Sequence, residues 1–184
     1  MQKSAKSYKG CLIMINAKVS ELLNKQINEE LYSAYLYLDF SLYYDEEGLD
    51  GFANWYMIQA QEERDHALLM LQYMQMNDEK VTLEAIAKPD KDLSSKEVVL
   101  EYGLEHEKLV TSLIHAIYDA AYDVRDFRTM QFLDWFVKEQ CEEEKNANDM
   151  IQKMKLFGED AKGLYMLNAE LKSRVYSAPS LVLD

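Results

Sequence analysis

Residues 52–73 read FANWYMIQAQEERDHALLMLQY, and this stretch decides the fold. Alternating steps of three and four give Phe52, Tyr56, Gln59, Glu63, His66, Met70 and Tyr73. Such spacing is the face that a helix turns toward its partners in a bundle. The face is apolar toward both ends and carries Glu63 and His66 in its middle. These two are three residues apart, so both side chains stand on one side of the helix.

The same step finds three more seams. The first is Leu23, Ile27, Glu30, Ala34, Tyr37, Ser41 and Tyr44. Another is Leu100, Gly103, Glu107, Val110, Ile114, Ile117 and Ala121. The last is Leu133, Phe136, Gln140, Glu143, Ala147, Met150 and Met154. Each seam carries a glutamate near its middle: Glu30, Glu63, Glu107 and Glu143. One glutamate on a seam is ordinarily an edge turning to solvent. Four at mid-helix come to one level of the core when the bundle closes.

The helices are expected over about Ala17 to Tyr44, Gly51 to Met76, Ser94 to Tyr122 and Arg128 to Phe157, with a short fifth from Lys162 to Val175. Ser94 with Glu97 reads as a capping box opening the third. The first and second helices are joined tightly, as are the third and fourth. Residues 77–95, with Pro89, are long enough to cross the length of a bundle. Short, long, short is the connectivity of an all-α four-helix bundle with one crossover. Only 6 Gly and 2 Pro in 184 residues suit long helices and disfavour turn-rich β folds. Strand-like alternation extends no further than Val81 to Ile86. The expected organisation is an N-terminal extension over 1–15, in which Met14 is an alternative start, one domain over 16–176, and a tail over 177–184.

Charge narrows the partners. The formal net charge is −13, from 33 acids and 20 bases. A duplex or an anionic membrane needs a basic face, so neither nucleic acid nor membrane is expected. No apolar run approaches the roughly 18 residues of a membrane span. Cys11 and Cys141 form no C-x-x-C pair, and two cysteines suit a reducing, cytoplasmic setting. Cations are the natural partner.

Buried carboxylates are costly unless paired or bound to metal. No Lys or Arg falls on the four seams. Two divalent cations balance four carboxylates, and His66 adds a nitrogen ligand. Glu-x-x-His on one helix with glutamates from facing helices is the ligand pattern of carboxylate-bridged dinuclear iron or manganese sites. Oxygen-rich ligation suits those metals better than structural zinc.

Longer motifs carry a family resemblance. The runs Gln26-Ile27-Asn28-Glu29-Glu30-Leu31-Tyr32-Ser33-Ala34-Tyr35-Leu36-Tyr37, Gln61-Glu62-Glu63-Arg64-Asp65-His66-Ala67, Glu105-His106-Glu107 and Phe132 to Glu144 resemble the helices of prokaryotic non-haem ferritins. The likeness covers about Ile15 to Leu171. It implies a ferritin-like bundle with a short fifth helix. By resemblance, Glu30, Glu63 and His66 hold one iron, and Glu63 bridges to a second held with Glu107 and Glu143. Gln140 matches a glutamine lying against the centre, where bound oxygen or metal meets it. Tyr37 matches a tyrosine able to bond a ligand or give up an electron, and Trp135 a neighbouring aromatic. Glu62, Glu139, Glu142 and Glu143 match a third iron position found in many bacterial ferritins.

The implied activity is oxidation of Fe(II) by dioxygen or hydrogen peroxide and storage of ferric oxide in a homo-oligomeric shell of 24 chains. Haem is not expected. Arg64 stands where bacterioferritins place a haem-ligating methionine, and Asn146 where they place a second ligating histidine. The cysteine-bearing domain of rubrerythrins is missing. The small DNA-protecting ferritins share ligands between subunits, whereas this chain has a full set of its own. His106 and His115 read as structural, Glu144 as solvated, and Cys141 without a role. Two other readings stay open: a non-storage di-iron or di-manganese oxidoreductase or peroxidase, and a plain bundle with solvated glutamates.

Overall fold

The computed structural model describes residues 15–183. Of the expected N-terminal extension, residues 1–14, with the alternative start Met14, lie outside the described residues. Ile15 is buried at the foot of the first helix.

Five helices form: α1 Ala17–Glu46, α2 Asp50–Met76, α3 Lys96–Asp123, α4 Phe127–Phe157 and α5 Ala161–Lys172. No strand occurs among the described residues. Asn16, Ser95, Asp126 and Asp160 cap α1, α3, α4 and α5, each accepting a backbone N–H from the first turn. The cap of α3 is therefore Ser95 rather than the expected Ser94. Ser95 Oγ takes the N–H of Val98 at 3.3 Å, while the N–H of Ser94 bonds the carbonyl of Asp92 in the preceding turn. Gly48, at φ +73°, supplies the left-handed residue of the tight α1–α2 turn.

The crossover holds to α1 through side chains. Ser20 Oγ donates to Glu79 Oε2 at 2.7 Å. The amide oxygens of Asn24 and Asn28 accept the N–H groups of Thr82 and Glu84, both at 2.7 Å. Contacts thus advance along α1 and the crossover in the same direction. Within the stretch Val81 to Ile86, Thr82 and Glu84 bond these asparagines through their backbone, and the stretch forms no strand. Tyr44 OH then donates to the carbonyl of Lys96 at 2.6 Å, fixing the start of α3 beside the end of α1.

Two apolar clusters fill the ends of the bundle. One gathers Val19, Leu23, Ile27, Met70, Ile114, Leu133 and Phe136. The other gathers Leu36, Phe40, Tyr44, Phe52, Leu100, Met150 and Met154. Every expected seam residue is buried except Ala34 and Ala147, which are half-buried. Each large side chain buried this way contributes about 1.5–3 kcal/mol.

The fifth helix docks on the start of α2. Leu49, the residue before α2, offers no side-chain cap. Asn168 of α5 does the work instead, its Oδ1 accepting the N–H groups of Gly51 at 2.8 Å and Phe52 at 3.3 Å. A Cβ at position 51 would come within 1.8 Å of the Asn168 carbonyl oxygen, so only glycine permits this approach. α5 ends three residues before the expected Val175. Asn54 Nδ2 takes up the carbonyls of Leu171 and Arg174, releasing the chain from helix. Residues 173–183 then run back over the bundle without regular structure.

Candidate metal centre

A polar layer separates the two apolar ends. It contains Glu30, Glu63, His66, Glu107, Gln140 and Glu143, each at most 6% exposed. All four helices contribute, because each seam places one glutamate at this level.

Glu30, Glu63 and His66 form one half. Each presents a possible ligand atom within 4.8 Å of the other two. His66 Nδ1 lies 3.2 Å from Glu63 Oε2. Gln26 donates to Glu30 Oε1 at 2.9 Å, and Glu30 Oε2 has no hydrogen-bond partner. A buried carboxylate oxygen without a partner is costly. A cation seated here relieves it, so the donor set fits a metal ion.

Glu107 and Glu143 form the other half, and both are engaged. Tyr37 OH donates to Glu107 Oε1 by a short hydrogen bond. Gln140 Nε2 donates to Glu107 Oε2 at 3.2 Å. Gln59 Nε2 donates to Glu143 Oε2 at 2.8 Å. A cavity of about 20 Å³ adjoins Glu107 and Glu143 and is walled by Tyr37, Tyr56 and Gln59. It has room for one molecule of water size.

Burial governs the protonation of the layer. It pushes Glu30 and Glu63 well above the usual carboxylate range, and neighbouring carboxylates push further. Glu107 is raised to about 7 by burial, against the pull of Tyr37 and Gln140. Glu143 is raised to about 8 by burial and by Glu107. Burial and Glu107 likewise raise Tyr37. Burial thus favours the protonated form of these carboxylates, and a divalent ion seated among them would displace protons.

Around the layer, the Trp135 ring stands edge-on to His66 with centroids 5.5 Å apart. His106 is buried, with Nε2 2.7 Å from Ser33 Oγ and its ring edge-on to Tyr37 at 5.8 Å. Burial lowers it to about 4, so it is neutral. Glu62 and Glu139 are half-buried and Glu142 is exposed. The proposed third-iron residues form no second metal-ligand cluster among the described residues. Glu62 is paired with Arg174 at 2.6 Å. Glu144 is not simply solvated, since it accepts a hydrogen bond from Thr111 Oγ1 at 2.6 Å across the α3–α4 contact. Cys141 is exposed.

Sequence reasoning missed Gln26, Gln59 and Arg174 as partners of these carboxylates. The signal for Gln26 was present, because it precedes Glu30 by one helical turn. Gln59 lay on a seam, but its partner is 84 residues away. Arg174 lies on no seam.

Comparison with known proteins agrees with this geometry. The ferritin-like domain family matches residues 20–157. A bacterial non-heme ferritin of Campylobacter jejuni is 36% identical over 160 residues, covering 87% of this chain and 96% of that protein. A probable bacterial non-heme ferritin-like protein of Haemophilus influenzae is 35% identical over 158 residues, covering 86% and 96%. An engineered closed form of the Archaeoglobus fulgidus ferritin superposes with a TM-score of 0.86 at 43% identity, covering 89% of this chain and 99% of that one. The open-pore ferritin of the same archaeon gives 0.85 at 43% identity, covering 88% and 98%. With its four-helix bundle and glutamate–histidine layer, the chain belongs to the ferritin family.

Proposed function

We propose that this chain stores iron and oxidises it on entry, with Fe(II) as substrate of the polar layer. The observation that carries the reading is the buried Glu30, Glu63 and His66 cluster, whose ligand atoms converge and whose Glu30 Oε2 lacks a partner. Glu30, Glu63 and His66 take the first Fe(II). Glu63, Glu107 and Glu143 take the second, giving up their protons as it enters. Two Fe(II) ions release one electron each. Dioxygen accepts both with two protons and leaves as hydrogen peroxide, or hydrogen peroxide accepts both with two protons and leaves as two waters. The carboxylates stabilise the added charge on Fe(III).

Gln140 and Tyr37 have catalytic roles beside the second ion. Gln140 Nε2 reaches Glu107 and can turn its amide toward a bound oxygen species. The Tyr37 hydroxyl, already bonded to Glu107, supplies one of the two protons. No haem takes part. Ferric product moves to a cavity enclosed by a homo-oligomer of 24 chains, in the cytoplasm. Support for assembly comes from large apolar side chains left exposed on the outer faces, including Tyr35, Leu42, Met57, Tyr165 and Met166.

The test is to add excess Fe(II) in air to metal-free protein and separate by size while recording iron and protein together. Iron eluting with a very large assembly, far above three atoms per chain, is the expected result. A small species with at most two irons per chain overturns storage and leaves a dinuclear oxidoreductase.

A further inference from the structure

Gln59 stands one helical turn before Glu63 on α2 and is 4% exposed. The two ends of its amide are treated differently. Nε2 donates to Glu143 Oε2 at 2.8 Å. Oε1 is buried and has no hydrogen-bond partner among the described residues. A buried carbonyl oxygen left this way is costly.

Glu143 decides which way the amide points. A Glu143 that has given up its proton to a metal ion can only accept, so Gln59 must keep an N–H toward it. Oε1 then stays the open end of the amide in the loaded state.

Gln59 also walls the cavity of about 20 Å³ beside Glu107 and Glu143. Tyr56 is a second wall. Burial raises it above the ordinary tyrosine range, so its hydroxyl keeps its proton and can donate it to a hydrogen bond. The α3 wall beside Tyr56 is bare backbone, because a Cβ at Gly103 would come within 2.9 Å of the Tyr56 hydroxyl oxygen. Asn146 and Ala147 of α4 line the cavity too and are half-buried, so it reaches toward the surface of the bundle.

The chemistry of these walls selects the occupant. One water needs about 10–15 Å³ of such space, so about 20 Å³ admits a second oxygen bonded to the first. The occupant has to give a hydrogen bond to Gln59 Oε1 and can take one from Tyr56. Dioxygen has no O–H and would leave Oε1 unpaired. Water satisfies both walls but accepts no electrons. Hydrogen peroxide is small, has two O–H groups and accepts two electrons.

We propose that this cavity is the seat of hydrogen peroxide, held by an O–H to Gln59 Oε1 and by the Tyr56 hydroxyl, and that Gln59 thereby favours a protic oxidant over dioxygen. The assignment rests on the dinuclear reading above and names its oxidant. Seated here, peroxide takes one electron from each of two Fe(II) ions. Its O–O bond breaks, and two protons complete two waters. The Tyr37 hydroxyl supplies one of them, and the other is among those the carboxylates release as the second Fe(II) enters. Gln59 transfers no proton; it binds and orients.

The experiment loads the metal-free full chain anaerobically with two Fe(II) per chain. It is then mixed rapidly with a graded series of hydrogen peroxide or of dioxygen. The wild type is expected to oxidise faster with peroxide at equal concentration, consuming two Fe(II) per peroxide. Gln59→Met keeps the reach of the side chain and removes the acceptor. Its lost N–H to Glu143 affects both oxidants alike, so the quantity read is the ratio of the concentrations giving half-maximal rate with peroxide and with dioxygen. That ratio is expected to rise by about 5-fold or more, the worth of one hydrogen bond. Tyr56→Phe removes the donor, keeps the ring, and moves the ratio the same way. Melting temperature and anaerobic titration with Zn(II), a redox-inert probe, check that each variant folds and loads, and where Gln59→Met does not, Tyr56→Phe decides. An unchanged ratio in a folded, loaded variant overturns the peroxide seat and leaves the dinuclear reading standing, as does a wild type that oxidises faster with dioxygen. A wild type that binds fewer than two Zn(II) per chain overturns the dinuclear reading, and the proposal with it.

Discussion

Glu30 and Glu107 sit at the same level of the bundle and are buried to the same degree, yet their surroundings differ. Glu30 meets Glu63 and His66 with one oxygen unpartnered. Glu107 has both oxygens taken, by Tyr37 and Gln140, and Glu143 is held by Gln59. One half of the layer is arranged for a cation and under-satisfied without it. The other already has its carboxylate oxygens engaged in hydrogen bonds that a cation must break. The difference ranks the two positions. On the proposed reading, the Glu30 side is expected to bind the more tightly, and the Glu107 side more weakly, beside the cavity and Tyr37.

The harshest way to break the comparison is to remove Glu63, the residue proposed to serve both halves. Glu63→Ala is expected to slow the first phase of Fe(II) oxidation by at least about 100-fold, since outer partners of metal ligands alone are worth 10–100-fold. Rapid-mixing absorbance reads this directly, and a near-normal rate would mean that oxidation occurs elsewhere. Next come paired variants, one in each half. His66→Ala should erase the tight step of an anaerobic metal titration, whereas Glu143→Gln should erase only the weak one. The reverse pattern inverts the ranking.

Smaller effects belong to the groups that hold the second half. Tyr37→Phe and Gln140→Leu should each lower the initial oxidation rate by about 10-fold or more while the tight step of the titration stays. Loss of that step in either variant would place these residues with Glu30 instead. The smallest effect is a pH dependence of the metal-free protein. Glu107 at about 7 and Glu143 at about 8 hold protons in the folded state that the unfolded chain loses near 4.3. The folded state therefore binds more protons across that window. Stability is highest at its acid end and falls as pH rises through about 8. Melting temperatures of metal-free protein at pH 5.5 and 8 should show the drop, and Glu143→Gln should flatten it. A rise toward pH 8 would mean that the layer carries its charge unprotonated.

The seams were legible because helical periodicity is local, and four glutamates at matching depth needed only helix lengths to align. Glu30, Glu63, His66, Glu107, Gln140 and Glu143 all reach the layer for that reason. The hydrogen bonds that divide the layer were not legible. Gln59 to Glu143 and Tyr37 to Glu107 join residues 84 and 70 apart, and seam spacing says which face a side chain is on, not which neighbour it meets. Arg174 was harder still. It follows a helix that ends early because Asn54, 120 residues away, captures its carbonyl. The shift of the α3 cap from Ser94 to Ser95 is a smaller case, a one-residue boundary between two adjacent serines that periodicity does not resolve.

The two apolar clusters at the ends of the bundle have a consequence for order in time. Each closes its end with side chains from all four long helices. Cohesion therefore does not wait on the charged middle. Metal-dependent minidomains are unfolded until their ion arrives. Here the chain is expected to complete its fold empty, be loaded afterwards, and be stripped by a chelator without coming apart. The scaffold is durable and its contents are exchangeable, which is the division of labour a reservoir requires.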